Sequence, residues 1–195
     1  MASNAIGLLQ QEIRACTTCA LHLPFPPRPI FQFSAKSRIL ICGQAPGCVV
    51  HEGGVPFDDK SGERLREWLG VDRVQFYNEE VFAIVPMGFC FPGKEGSGDA
   101  PPRGECAPQW HARVFAAMPE VRLTVLIGQY AIGHYLHRTK ARNLTETVRH
   151  FAEYLPDHFP IVHPSPLNFR WQSRNPWFEA EVVPALKEHV ERAMR

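Results

Sequence analysis

The chain lacks a strong excess of either charge and lacks any long apolar run. Its 195 residues include 21 Lys and Arg against 20 Asp and Glu, which gives a formal net charge of +1. A global electrostatic field therefore does not mark a nucleic-acid partner, and any phosphate contacts must come from a local group of basic side chains. No apolar stretch approaches the length that crosses a bilayer, so we expect no membrane partner.

Residues 1–11 lack the basic start and the long apolar core of a secretory signal peptide. We therefore expect a cytoplasmic protein, in which thiols stay reduced. The six cysteines of the chain then favour a metal site or buried packing over disulfides.

Short apolar runs alternate with helical patterns along the chain. Four runs are apolar on both faces, as in the strands of a buried parallel sheet: Arg38–Cys42, Phe82–Pro86, Leu123–Ile127 and Pro160–His163. Apolar residues at helical spacing predict helices over Ala5–Ala15, Glu63–Leu69, Pro108–Met118, Gln129–Leu136, Leu144–Leu155 and Phe178–Met194. The alternation predicts an α/β fold, a three-layer α/β/α sandwich with a central four-stranded parallel sheet, as a single domain over residues 1–195.

A turn rich in glycine follows the first predicted strand, at the edge of the sheet where open parallel sheets bind ligands. Gly43–Gly47 bares backbone N–H groups, but no Gly-Lys-Ser/Thr follows it, which excludes a phosphate loop. Taken alone, the segment fits a tight turn better than a binding site.

An aromatic residue fixed behind a proline comes next, at Gly54–Asp59. The ring of Phe57 could form one wall of a flat pocket, on which a nucleobase stacks with about 1–3 kcal/mol per base. Taken alone, the segment fits better a core Phe followed by a helix whose first turn begins near Asp58 or Asp59.

His163–Leu167 closes the fourth predicted strand with two prolines, which fix the backbone of a segment that must press on a ligand. A lone His at a strand end is more often structural than catalytic. Here it is followed by Asn168, Arg170, Trp171 and Arg174, and such interleaved basic and aromatic residues favour contact with a DNA backbone or an unstacked base.

Four cysteines fall into two pairs. Cys16 and Cys19 form a CxxC near the N-terminus, and Cys90 and Cys106 lie in a loop rich in Pro and Gly. Four thiolates suit either a tetrahedral zinc or an iron–sulfur cluster, and simple burial is the alternative.

Together these segments resemble the uracil-DNA glycosylase superfamily, most closely its iron–sulfur branches, families 4 and 5. Gly43–Gly47 and Gly54–Phe57 reproduce the spacing of the first family motif, and His163–Pro166 matches the second motif without change. The resemblance implies a DNA glycosylase of base excision repair, with DNA containing uracil or related damaged bases as its partner. It also implies a [4Fe–4S] cluster, with zinc as the alternative, on Cys16, Cys19, Cys90 and Cys106.

The chain departs from the family 4 pattern at two places. Gln44 and Ala45 leave the first motif without a carboxylate, and Val85–Phe89 lacks the Asn that reads the uracil edge in family 4. Family 5 lacks both groups and relies on an acid just after the stacking Phe, where this chain has Asp58 and Asp59. Because a polar reader of the base edge is missing, we expect a substrate range broader than uracil.

Glycosidic cleavage passes through a cation-like sugar and an anionic base, so it needs a carboxylate near the sugar and a donor near the base. We assign Asp59, with Asp58 as second choice, to the sugar and the attacking water, and His163 to the base oxygen. We also assign base binding to Gly43, Gln44, Ala45, Phe57 and Pro86. We assign DNA binding to Ser165, Pro166, Leu167, Asn168, Arg170 and Arg174.

Other classes of protein remain as alternatives. The strongest is a protein of the same fold that binds damaged or uracil-containing DNA with little catalysis, because the first motif has no carboxylate. A zinc hydrolase and a nucleotide-binding module are weaker, since the chain lacks a His/Glu ligand cluster and a phosphate loop. We expect a monomer.

Overall fold

The computed structural model describes residues 2–96, 98–139 and 141–195. Its strands are β1 (Ile39–Cys42), β2 (Phe82–Ile84), β3 (Lys94–Glu95), β4 (Gly98–Asp99), β5 (Leu123–Ile127) and β6 (His158–Ile161). Its α-helices are α1 (Ala2–Arg14), α2 (Cys48–Gly53), α3 (Lys60–Leu69), α4 (Arg73–Phe76), α5 (Ala112–Ala116), α6 (Gly128–Tyr135), α7 (Leu144–Arg149), α8 (Phe169–Arg174) and α9 (Val183–Met194). Shorter 3₁₀ turns cover Ala20–His22, Phe151–Tyr154 and Pro166–Asn168, and π-helical turns cover Ala107–His111 and Phe178–Val182.

Four strands form the central sheet in the order β2-β1-β5-β6, and every neighbouring pair is parallel. Ile39 pairs with both Phe82 and Leu123, and Ile127 pairs with Ile161 at the far edge. Nearly all residues of these strands are buried, because helices cover both faces of the sheet. β3 and β4 form a separate antiparallel hairpin.

Two apolar clusters hold the helices to the two faces. Leu65 of α3 and Leu186 of α9 belong to the larger cluster, while Ile13 of α1 and Val114 of α5 belong to the smaller. These layers confirm the predicted three-layer α/β/α sandwich around a four-stranded parallel sheet. In the part of the chain that the structure describes, no helix has the length and apolar character needed to span a membrane.

The predicted strand boundaries were wrong at three places. The run Arg38–Cys42 begins as a strand one residue later, at Ile39. The run Phe82–Pro86 ends as a strand at Ile84, before a proline that has no N–H to donate. The run Pro160–His163 is shifted, because β6 covers His158–Ile161. Pro160 is tolerated inside it since β6 is an edge strand, where one side of the ladder is unpaired.

Two predicted helices were too long, and several short elements were missed. Pro108–Met118 begins in a π-helical turn and its helix ends at Ala116, and Leu144–Leu155 breaks after Arg149 into a 3₁₀ turn. The predicted Phe178–Met194 coincides with a π-helical turn that α9 continues. The stretch after His163, for which no helix was predicted, contains α8. α2, α4, α8 and the hairpin were missed because elements of two to six residues are too short to show a periodic apolar pattern.

Candidate functional site

A cavity of about 120 Å³ lies beyond the carboxyl ends of the sheet strands. Its lining includes Gly43–Gly47 after β1, Pro86 after β2 and His163 after β6. Because parallel strands end at the same edge of a sheet, three segments that are far apart in sequence meet there. All five residues predicted to bind a base line this cavity: Gly43, Gln44, Ala45, Phe57 and Pro86.

The aromatic wall of the cavity is held in a strained turn. Phe57 has φ 55°, a left-handed conformation that is rare for a residue other than glycine. A Cβ on Gly62 would lie 1.7 Å from the Phe57 carbonyl oxygen, so only glycine allows this approach. A Cβ on Gly43 would lie 3.3 Å from the edge of the Phe57 ring, which places the ring against the first motif. Strain of this kind, about 1–3 kcal/mol, persists only where the surroundings fix it.

Side chains from α3 and α4 fix that turn from behind. The guanidinium of Arg66, itself buried, donates to the Phe57 carbonyl at 3.3 Å, and the Tyr77 hydroxyl donates to the Pro56 carbonyl at 2.9 Å. The ring of Phe76 meets the Phe57 ring edge-on, with centroids 6.3 Å apart. The stacking wall is therefore built before any ligand arrives.

The geometry around His163 selects one tautomer of its ring. Its Nδ1 accepts a hydrogen bond from the backbone N–H of Ser165 at 3.1 Å. Burial lowers the pKa of His163, and the neighbouring Asp59 and Asp99 oppose that shift. A neutral imidazole with Nδ1 as acceptor carries its proton on Nε2. The ring therefore offers a neutral N–H donor at neutral pH.

The two neighbouring acids go to different places. Asp59 lines the cavity, and its Oδ1 accepts from the Gly62 N–H at 2.8 Å as the N-cap of α3. Asp58 is bound at its two oxygens by Arg73, at 2.6 and 3.0 Å, and it is not among the cavity-lining residues. The hydrogen bond from Arg73 holds the pKa of Asp58 below its usual value. Of the two predicted acids, only Asp59 is thus among the cavity-lining residues.

Two polar groups near the base wall are already engaged. The Gln44 side-chain amide donates to the Ala100 carbonyl at 3.0 Å, so it anchors the neighbouring loop. The Pro86 carbonyl accepts from Nε2 of the buried His111 at 3.0 Å. His111 was missed by sequence reasoning, because only its tertiary contact with Pro86 connects it to the cavity.

A second carboxylate also lines the cavity and was missed. Asp99 ends the β3–β4 hairpin and binds Lys94 at 2.6 Å. Its two-residue strands leave no alternating pattern, and the glycines around them were the one available signal of a tight turn.

The segment predicted to contact DNA forms a turn and a short helix at the mouth of the cavity. Ser165 lines the cavity, and its Oγ accepts from the Leu167 N–H at 3.2 Å. Leu167 is 74% exposed, and the guanidinium of Arg170 lies 5.8 Å from the centroid of the Phe169 ring. The remaining members extend this surface: Pro166 begins the 3₁₀ turn, Asn168 ends it and donates to the His163 carbonyl at 2.7 Å, and Arg174 ends α8.

The four paired cysteines line a second, smaller cavity of about 10 Å³. Cys16 and Cys19 come from the N-terminal segment, Cys90 from the loop after β2, and Cys106 from the start of a π-helical turn. Burial raises the pKa of Cys90 to about 11 and that of Cys106 to about 12. Among the described residues, no three His, Cys, Asp or Glu side chains are grouped closely enough to hold a metal ion.

The parallel sheet, the ring of Phe57 and the histidine at one strand end define an α/β protein with an aromatic-walled cavity at its strand ends. The family model of the uracil DNA glycosylase superfamily matches residues 30–187. The chain belongs to this superfamily, whose members are DNA glycosylases that act on DNA. Cys16 and Cys19 precede the matched residues, so the match bears on the base cavity and not on the N-terminal cysteine pair.

Proposed function

We propose that the chain is a monofunctional DNA glycosylase that removes uracil, and other deaminated or oxidised bases, by base flipping and hydrolysis of the N-glycosidic bond. The observation that carries this proposal is the preformed cavity that Phe57 and the Gly43–Gly47 turn line together with His163 and Asp59. Among the described residues no lysine lines the cavity, which agrees with a reaction that uses water and no amine nucleophile.

His163 stabilises the departing base. When the bond from the sugar carbon to the base nitrogen breaks, its electron pair leaves with the base and negative charge builds on the base oxygen. The neutral ring has its Nε2–H available for that oxygen, because Nδ1 is occupied by the Ser165 N–H. A preorganised donor of this kind contributes about 3–4 kcal/mol in other enzymes.

Asp59 stabilises the cation-like sugar and orients the water that adds to it. One of its oxygens is held by the Gly62 N–H, which fixes the carboxylate at the start of α3. An ionised carboxylate at that place favours the transition state more than the ground state, because the sugar is charged only in the transition state. The proton released by water passes to the carboxylate or to the departing base.

The exposed surface beside the cavity contacts DNA. Leu167 and Phe169 are 74% and 60% exposed, so either side chain is available to fill the space that a flipped base leaves. Arg170 and Arg174 lie on the adjoining helix and contact phosphates. Flipping costs a few kcal/mol and costs least in mispaired or single-stranded DNA.

A product assay with defined oligonucleotides tests the proposal. The wild-type chain should release uracil and leave an abasic site that breaks only with alkali or heat. Strand cleavage without such treatment would contradict a monofunctional enzyme. Binding to uracil-containing DNA without any base release would replace the proposal with the non-catalytic alternative.

We propose further that Cys16, Cys19, Cys90 and Cys106 hold a [4Fe–4S] cluster. Two buried donors in the same cavity lining, Nε1 of Trp110 and Nε of Arg103, have no hydrogen-bond partner among the described residues. The sulfur atoms of a cluster accept such hydrogen bonds. The residues therefore fit a sulfur-rich group.

A single zinc ion fits this cavity less well. Zinc needs its thiolates at about 2.3 Å from one point, and no such close group is present among the described residues. A cluster spans several atoms, so its ligands lie farther apart. When bound, it would tie the N-terminal segment to the loop after β2 and provide the positive charge that keeps these buried thiols ionised.

A further inference from the structure

We propose that Asp99 reads the edge of the flipped base and selects bases that carry a ring N–H. The inference rests on the proposed glycosylase function and deepens it. Asp99 lines the same cavity as Phe57 and His163, but it comes from the β3–β4 hairpin, outside both motif segments.

The hairpin holds this carboxylate in a defined orientation. Lys94 contacts Oδ1 at 2.6 Å, and a Cβ on Gly47 would lie 3.2 Å from Oδ2. The first oxygen is therefore occupied by the ammonium, while the second lies toward Gly47, which belongs to the cavity lining. Gln44 anchors the next residue, because its amide donates to the Ala100 carbonyl at 3.0 Å.

Deamination changes the base at an atom that a carboxylate can distinguish. Cytosine and adenine present an unprotonated ring nitrogen on their pairing edge, whereas uracil and hypoxanthine present a ring N–H at that position. An ionised carboxylate is an acceptor only, so it binds the N–H and repels the lone pair. A site with such a polar reader rejects the analogue that leaves it unpaired.

The other acid is better placed for the sugar. One oxygen of Asp59 accepts from the uncharged Gly62 N–H, a partner that leaves the negative charge of this carboxylate in place. The charge of Asp99 is partly neutralised by Lys94, which weakens it as a stabiliser of a cationic sugar but leaves Oδ2 able to accept a hydrogen bond. Asp99 thus supplies the acceptor that the missing amide after β2 would have supplied.

The substitution Asp99→Asn tests this assignment without a change of shape. The ammonium of Lys94 has only donors, so it keeps the amide oxygen as its partner. The amide NH₂ then takes the place of Oδ2, so residue 99 offers a hydrogen-bond donor to the base where Asp99 offers an acceptor. NMR titration should show free uracil binding about 10- to 100-fold more weakly to the variant, because a hydrogen bond to a charged group is lost. Binding of free cytosine should not weaken.

Base release should follow the same order. The kcat/KM for uracil and hypoxanthine should fall by a similar factor in Asp99→Asn. Glu95→Gln is the matched control, because Glu95 is an exposed carboxylate of the same hairpin outside the cavity lining. It should change neither measurement, and both variants should melt at the wild-type temperature.

Two results would overturn the assignment. Equal affinity of wild type and Asp99→Asn for uracil would show that Asp99 does not touch the base. A uniform loss of turnover with unchanged binding of both free bases would place Asp99 at the sugar. A wild-type protein that releases no base would sink the proposed function, while the titrations of free bases would still decide the role of Asp99.

Discussion

The base cavity and the cysteine cavity differ in size and in the residues that line them. The base cavity is lined by side chains that can donate to or accept from a ligand, namely the neutral His163 and the carboxylates of Asp59 and Asp99. The cysteine cavity is small and lined mainly by apolar residues and thiols, with donors that lack partners among the described residues. The first is complete without a ligand and suits a molecule that enters and leaves. In our proposal the second holds a resident cluster, which would accept hydrogen bonds from those donors.

One chain segment contributes to both cavities. Pro86 lines the base cavity, and Phe89 lines the cysteine cavity three positions later in the same segment. His111 contacts both, since its Nε2 binds the Pro86 carbonyl and its ring stacks on Phe89 with centroids 5.8 Å apart. A disturbance of the cysteine cavity can therefore reach the base cavity through this segment.

The largest expected effect comes from breaking the cysteine cavity. Metal binding contributes folding free energy, on the order of 10 kcal/mol in structural zinc sites, so Cys16→Ser should destabilise the protein more than any other change considered. Protein purified without oxygen should be brown, with about four irons per chain, and the variant should lose both the colour and the iron.

Cys48→Ser is the matched control for that experiment. Its thiol lies on α2 and is not among the residues that line the cysteine cavity. Iron content and melting temperature should stay at the wild-type values. A wild-type preparation with one zinc and no iron would refute the cluster, and a Cys16→Ser variant as stable as wild type would refute the site.

Breaking the base cavity should affect turnover and leave folding intact. His163→Gln removes the preorganised ring donor, so single-turnover base release should fall about 100- to 1,000-fold. Iron content should be unchanged, and affinity for uracil-containing DNA should change little. His150→Gln serves as control, because His150 is an exposed histidine at the end of α7 and is not among the cavity-lining residues. A loss below about fivefold would show that another donor stabilises the base.

A fall in pH should lower the free energy of unfolding, because His111, which contacts the segment with Pro86 and Phe89, is buried. Burial lowers the pKa of His111 to about 4, with His134 acting in the same direction and the Pro86 carbonyl against it. Between this value and the ordinary 6.5, the unfolded chain binds more protons than the folded chain. The contribution of His111 is therefore complete above pH 6.5 and is lost toward pH 4, a loss of about 3 kcal/mol.

Urea unfolding of wild type and His111→Gln at several pH values measures this effect. The variant should be less stable at pH 7, because it loses the contacts with Pro86 and Tyr135, and its stability should depend less on pH. The exposed His137→Gln should keep the wild-type pH dependence. Parallel curves for wild type and His111→Gln would show that His111 does not titrate in this range.

The fold could be predicted because each strand and each long helix has a residue pattern that is visible within its own segment of the sequence. Each sheet strand is a short run that is apolar on both faces, as at Leu123–Ile127, and the helices between them show a three-to-four period. The base cavity could be located because parallel strands end at one edge, so Gly43–Gly47 and His163 had to meet.

The remaining features depend on tertiary contacts that leave no local pattern. The strained φ of Phe57 is fixed by Gly62 and Arg66, which lie one and two turns into the next helix. Asp99 reaches the cavity only because a hairpin of two-residue strands folds against Gly47. No periodicity marks either relation.

The smallest expected effects separate the two neighbouring acids. Asp59→Asn should lower turnover at least about 10-fold, because the charge that stabilises the sugar is lost. Its folding stability should stay within about 0.5 kcal/mol of wild type, since Asn caps a helix as well as Asp. Asp58→Asn should leave turnover unchanged and cost at most about 1 kcal/mol, the usual value of an exposed ion pair such as that with Arg73. The reverse pattern, with turnover lost only in Asp58→Asn, would assign the sugar to the acid outside the cavity and would require that Asp58 leave Arg73 when DNA binds.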